Sequence, residues 1–190
     1  MKEISAVLKS IKELSSGTEE EIQEIFDSLK KSEFEKDEFL LREGSICNQY
    51  FFVESGSIRL FYVKDDIDYT VWIGTMGEVF TNLESYLNSS ESRISIQSIE
   101  SSVVYTIHKS QSDHLAKELN SYNTLLRKTV EIAFVNLSKN VISFQSEEAI
   151  ERYKRIETEK NWISKYPLKY ISTFIGITQS SLSRIRSKKD

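Results

Sequence analysis

The 190-residue chain contains one cysteine, two histidines and one proline, and no long uninterrupted apolar run. Each scarcity removes a class of protein. A lone thiol, Cys47, can close no intrachain disulfide and can build no multi-thiolate metal or iron–sulfur site within one subunit. It reads as a small, semi-buried residue rather than a redox switch. Neither His108 nor His114 has a second histidine at H-x-H spacing, so haem, metal and cofactor chemistry lack their ligands. Both read as satisfied or surface side chains. No apolar stretch approaches the roughly 20 residues of a membrane-spanning helix. The N-terminus, MKEISAVLKSIKEL, lacks the unbroken apolar core of a secretory signal. The expectation is a soluble cytoplasmic protein with no membrane partner. Internal repeats and low-complexity segments are absent, and no nucleophile–base pair is evident.

What is present is unevenly distributed. The chain carries a net charge of −4, yet residues 160–190 hold seven Lys/Arg against one acid, a net of +6, which leaves −10 on the rest. An acidic body with a basic end directs polyanions to that end alone. The basic end reads KYPLKYISTFIGITQSSLSRIRSKK from Lys165. Leu168, Ile171 and Ile175 share one face of a short helix, and Leu182 and Ile185 share a face of a second. Pro167 suits the first turn of the first helix. Gly176 can adopt the left-handed conformation that ends it, and Thr178 can cap the next. With Ile177 at the corner, the pattern predicts a helix-turn-helix.

Upstream, residues 3–14 and a segment opened by the capping box Thr18-Glu19-Glu20-Glu21 predict two packing helices. Between about Ser32 and His108 short β-branched and aromatic stretches recur: Glu38–Arg42, Tyr50–Glu54, Ser57–Lys64, Tyr69–Ile73, Arg93–Ile99 and Val103–His108. Turn signals separate them, so a β-sandwich or barrel is expected. From residue 119 the β signal is replaced by an apolar stripe: Leu119, Tyr122, Leu126, Val130, Ala133, Leu137, Val141 and Phe144. These lie on one side of a helix about 37 Å long. Such a helix is too apolar to stand alone in water, and a homodimer would cover it. Its first seven stripe residues are the expected interface. A break with an N-cap at Ser146 then opens a helix from Glu147 to about Lys160. The expected organisation is 1–118 β-domain with N-terminal helices, 119–144 dimerisation helix and 145–190 helix-turn-helix domain.

Taken together, Glu43-Gly44-Ser45, the run Phe51-Phe52-Val53-Glu54-Ser55-Gly56-Ser57-Ile58-Arg59-Leu60 and the motif Pro167-Leu168…Gly176-Ile177-Thr178…Leu182-Ser183-Arg184-Ile185-Arg186 resemble the Crp/Fnr family of bacterial transcription regulators. The resemblance spans about Leu14 to Lys189. It is similar to the Bacteroidetes variant, in which the chain stops just past the recognition helix. It implies an α+β fold: an N-terminal double-stranded β-helix (a cyclic-nucleotide-binding-like, cupin-like jelly roll), a long dimerisation helix and a C-terminal helix-turn-helix. It also implies double-stranded DNA, a second copy of the chain, RNA polymerase and a small-molecule effector as partners.

In family members that bind cyclic nucleotides, a Gly-Glu pair grips the ribose and an Arg-Ser or Arg-Thr pair takes the phosphate. Here Thr81 and Asn82 stand where Gly-Glu should, and Ser92-Arg93 inverts the second pair. Moving an arginine by one place along a strand turns it to the other face. Cyclic AMP is therefore not expected, no cofactor is assigned, and any effector is of unknown identity. Asn82, Glu84, Ser85 and Arg93 are the candidates to line an altered pocket. The single cysteine also excludes the Fnr-type cysteine cluster.

With Leu182 and Ile185 inward, Ser180, Ser183, Arg184 and Ser187 turn outward. Gln179 could pair with adenine and Arg184 with guanine or a phosphate. Ser180 and Ser181 would make permissive contacts, Ser180 standing where the family often has a Glu that reads cytosine. Lys169, Tyr170, Thr178, Arg186 and Lys188 are placed to hold phosphates. A dimer would set two such helices about 34 Å apart. Two other readings remain open: a protein-contact regulator with a degenerate helix-turn-helix, and a cupin-like enzyme.

Overall fold

The computed structural model describes residues 5–160 and 162–187. Two helices, α1 (Ala6–Ser15) and α2 (Glu19–Asp27), lead into eight strands: β1 (Lys30–Phe34), β2 (Phe39–Leu41), β3 (Gln49–Ser55), β4 (Ser57–Lys64), β5 (Ile67–Thr75), β6 (Val79–Phe80), β7 (Ser95–Ser98) and β8 (Ser102–His108). A short helix, α3 (Leu83–Asn88), interrupts the strands between β6 and β7. Six helices follow: α4 (Lys109–Glu118), α5 (Asn120–Ser146), α6 (Ala149–Lys160), α7 (Trp162–Lys165), α8 (Leu168–Phe174) and α9 (Gln179–Ser187). The described residues form two compact units. One contains residues up to 60 together with 73–132; the other contains 61–72 together with 133 onward.

The strands make two four-stranded sheets, ordered β1-β8-β3-β6 and β2-β7-β4-β5. This is the expected jelly roll. β1 and β6 escape notice in the sequence. Lys30-Lys31-Ser32-Glu33-Phe34 has little β character of its own and is extended because it pairs antiparallel with β8, Lys30 opposite Thr106. The apolar run Tyr50-Phe51-Phe52-Val53 does not alternate with polar residues because both of its faces are buried. Tyr50 and Phe52 join a core with Val7 and Ile11 of α1, Ile22 and Ile25 of α2, and Leu115, Tyr122 and Leu125 of the later helices. β7 is buried along its whole length, so Ser95, Gln97 and Ser98 lie inside beside Ile96.

The N-terminal helices start as their sequence dictates. Thr18 accepts from the Glu21 amide and Glu21 accepts from the Thr18 amide, so the capping box forms. The Glu54 carboxylate of β3 accepts from Ser5 Oγ at 2.7 Å and the Val7 amide at 3.0 Å, placing negative charge at the N-terminus of α1. Between β3 and β4 the chain turns on Gly56 at φ +85°. A Cβ there would stand 2.7 Å from the Ser102 Cα and the Ser101 carbonyl oxygen, so only glycine fits.

Two boundaries differ from the sequence reading. α5 runs through Ser146, whose hydroxyl donates back to the Ile142 carbonyl instead of capping a new helix. α6 then begins at Ala149. Ser143 donates to Glu147 at 2.5 Å, and Arg155 donates to Ser143 at 2.7 Å. The Ser143 hydrogen bond, helped by Arg155, holds the Glu147 carboxyl below its usual range.

Candidate functional site

Helices α8 and α9 meet as the sequence predicts. Gly176 sits at φ +77°, and its amide donates to Thr173 while the Ile177 amide donates to Ser172. These bonds satisfy the last carbonyls of α8. Thr178 Oγ1 accepts from the Ser181 amide at 3.2 Å and opens α9. Ile171, Ile175 and Leu182 are fully buried between the helices, with Tyr153 and Ile156 of α6 buried in the same unit. Arg152 of α6 donates its Nε to the Ile175 carbonyl at 2.8 Å and lies over the Phe144 ring, which fixes the turn from behind.

The outward edge of α9 holds Gln179, Ser180, Ser183, Arg184, Arg186 and Ser187, all exposed, and Thr178 and Lys169 beside it are exposed too. Ser181 is half-buried, and its hydroxyl and that of Ser180 are 3.0 Å from Thr178 Oγ1 in the capping cluster. Tyr170, expected at a phosphate, is instead buried in the helix-turn-helix. Its ring is needed to complete a small core, and Lys169 Nζ lies 5.0 Å from its centroid. Lys188 lies outside the described residues, as does the Ile4 assigned to the first helix.

The effector cassette is built differently. Asn82 N-caps α3 and donates its amide nitrogen to Ser92 Oγ at 2.6 Å; both residues are buried. Ser85, 1% exposed, accepts from the Cys47 amide at 2.8 Å and donates to the Ser90 carbonyl at 2.6 Å. Thr81 Oγ1 donates to the Gln49 carbonyl at 2.8 Å and lies 3.3 Å from the buried thiol of Cys47. Arg93 faces solvent, its side chain 83% exposed, and pairs with Glu84 at 3.5 Å. The four residues therefore do not converge on a pocket. Asn82 and Ser85 pin neighbouring backbone from within, and Glu84 and Arg93 form a surface ion pair. His108 N-caps α4 by accepting from the Ser110 amide at 3.2 Å, and His114 is exposed. Among the described residues no group of three or more His, Cys, Asp or Glu is placed to hold a metal ion.

The stripe of α5 splits in two. Tyr122 is fully buried in its own unit, its hydroxyl donating to Ser112 Oγ at 2.8 Å, and burial pushes its phenol well above the usual range. Leu119 and Leu126 are half-buried against the same core. Tyr122 is thus committed to its own core, and Leu119 and Leu126 are partly so. From Val130 onward the stripe is exposed: Val130, Ala133, Leu137 and Val141 all face out, as do Phe134, Ile142 and Phe144.

Residues 31–118 match the family model of the cyclic nucleotide-binding domain. The match covers the strands and the loop and helix of residues 81–93 described above. No curated protein matches the chain by sequence. Solved structures match it in shape. FixK2 from Bradyrhizobium japonicum shares 18% identity over 84% of this chain and 83% of its own, with a TM-score of 0.71. The c-di-GMP-responsive global regulator CLP of Xanthomonas campestris shares 13% over 90% and 91%, at 0.68. A protein of Eubacterium rectale placed with the Crp/Fnr transcriptional regulators shares 12% over 91% and 83%, at 0.70. At these identities the likeness establishes the fold alone. No described helix is long and apolar enough to cross a membrane.

One feature of the second unit escapes the sequence reading. Strand β5 of the β4–β5 hairpin lies against α8: Trp72 meets Phe174 and, beyond it, Trp162 of α7 edge-on, with centroids 6.1 and 5.7 Å apart, and the Thr70 amide donates to Thr173 Oγ1 at 3.1 Å. Its only sequence signal is that the chain's two tryptophans are each followed by an isoleucine in otherwise dissimilar surroundings, which is too weak to pair them.

Proposed function

We propose that the chain is a homodimeric, sequence-specific DNA-binding transcription regulator of Crp/Fnr type whose signal is not cyclic AMP. The observation that carries this reading is the edge of α9. Leu182 is buried while Gln179, Ser183, Arg184 and Arg186 are exposed on a helix held by a glycine turn and a threonine cap. Gln and Arg are the side chains that make bidentate contacts to adenine and guanine in the major groove, and the first turns of a recognition helix are the part that reaches base edges. A second head comes from the exposed apolar half of α5, which a second copy of the same helix would cover.

The exclusion of cyclic AMP is supported by the cassette. The arginine at the family's phosphate-binding position, Arg93, faces solvent beside Glu84, whereas the buried Arg59 of β4 donates to Gln97. The fold itself does not dictate the ligand, since CLP is described as responsive to c-di-GMP. RNA polymerase contact belongs to the same reading and awaits its own test.

Binding of a fluorescent DNA fragment from upstream of the chain's own coding sequence tests the proposal. Two heads neutralising about 6–10 phosphates should lose roughly 10³–10⁵ in affinity between 50 and 200 mM salt. Absence of binding to that or any genomic fragment at 50 mM salt overturns the reading. Thermal stabilisation by cyclic AMP overturns its second half.

A further inference from the structure

Among the described residues, the β segment that belongs to the helix-turn-helix unit is 61–72, the distal part of the β4–β5 hairpin. Its two-residue turn, Asp65-Asp66, has φ of +51° and +58°. These are the paired positive angles of a type I′ hairpin, a conformation aspartate and asparagine tolerate better than other non-glycine residues. Asp68 follows two residues later. Behind the turn, Thr70 is buried and bonded to Thr173, and Trp72 packs on Phe174 and Trp162. The tip is thereby held over α8 and the start of α9.

What it meets there is the DNA-facing edge. Asp66, Asp68 and Tyr69 line one side of a cavity of about 530 Å³, and Lys169, Thr178 and Gln179 line the other. Residues 160–187 contain no Asp or Glu, so negative charge at this surface is brought to it by the hairpin. A phosphate approaching Lys169 and Thr178 would meet two carboxylates at the mouth of the same cavity. We propose that the β4–β5 hairpin is an autoinhibitory arm: its acidic tip occupies the approach to the first turn of α9 and repels the DNA backbone until the hairpin lifts from α8. The inference rests on α9 being the reading helix. It adds that the arm, a part of the β-sheet in sequence, sets how readily α9 is reached.

The test is Asp66→Asn/Asp68→Asn, which removes the two charges that line the cavity and keeps the turn, because asparagine is at home at the positive φ of position 66. The control removes the same charge from α2, as Glu24→Gln/Asp27→Asn. Thr173→Val, which deletes the acceptor of the Thr70 amide, loosens the arm without changing charge. The hairpin double variant should bind the DNA fragment about threefold to tenfold more tightly at 50 mM salt. The gain should shrink at about 0.1 M as the screening length shortens. Thr173→Val should also bind more tightly, and the α2 control should not. Equal affinity of wild type and both arm variants overturns the arm and leaves the DNA-binding reading standing. Failure of every form to bind overturns both.

Discussion

The loop and helix of residues 81–93 and the helix of residues 179–187 are both short, serine-rich and polar, yet they use those side chains in opposite ways. In the first, Thr81 and Ser85 are tied to backbone 32 and 38 residues away, and Asn82 and Ser92 to each other. Ser85 holds the Cys47 amide, and Thr81 holds the Gln49 carbonyl. In the second, the capping of Thr178 engages Ser180 and Ser181, while Gln179, Ser183, Arg184 and Arg186 stay exposed. A buried hydroxyl must find a partner or lose about 1–3 kcal/mol, whereas an exposed one is satisfied by water. The cassette has therefore become part of the scaffold, and α9 remains a surface. The same division runs along α5, where Tyr122 is committed to its own core and Leu137, four turns on, is 59% exposed.

The sharpest way to break this comparison is on α5. Tyr122→Ala should destabilise the β-unit by about 3–5 kcal/mol, read as a lowered denaturation midpoint, because it empties a fully buried aromatic site. Leu137→Asp should leave the chain folded yet abolish self-association in sedimentation, since it would bury an unpaired charge in the interface. If Leu137→Asp unfolds the chain and Tyr122→Ala dissociates it, the assignment of the two halves is reversed.

Next comes the cassette. Asn82→Ala/Ser85→Ala removes a helix cap and orphans the Cys47 amide, so about 2–4 kcal/mol of stability should be lost, with DNA affinity unchanged. A stable double variant that has lost a ligand response would return these residues to an effector site. The smallest effect belongs to Arg93→Ala. Its partner Glu84 is also solvent-exposed, so thermal denaturation should register no more than about 1 kcal/mol. A larger loss would mean that Arg93 serves more than a surface pair.

Much of the second unit was legible because its chemistry is local. Gly176 and Thr178 act on residues within four positions, and the spacing of Ile171, Ile175 and Leu182 is set by the helix itself. The capping box at Thr18 was legible for the same reason. What stayed hidden depends on distant partners. β1 is a strand because β8 lies beside it, and Tyr170 is inside because a helix-turn-helix this small needs its ring. Leu119, Tyr122 and Leu126 fall on the same stripe as Val130 and Leu137, and periodicity cannot say which part of a stripe meets the chain's own core. Asn82 and Ser85 look like pocket residues in sequence, because the serine and the amide that claim them lie up to 38 positions away.

The central claim is that α9 keeps an uncommitted edge for reading bases. Its most direct measurement compares wild type with Arg184→Ala on the fragment bound from the upstream region and on a scrambled fragment, at fixed salt. The account predicts a loss of about 1–3 kcal/mol on the specific fragment, little change on the scrambled one, and an unchanged denaturation midpoint. Undiminished binding of the specific fragment by Arg184→Ala would contradict it.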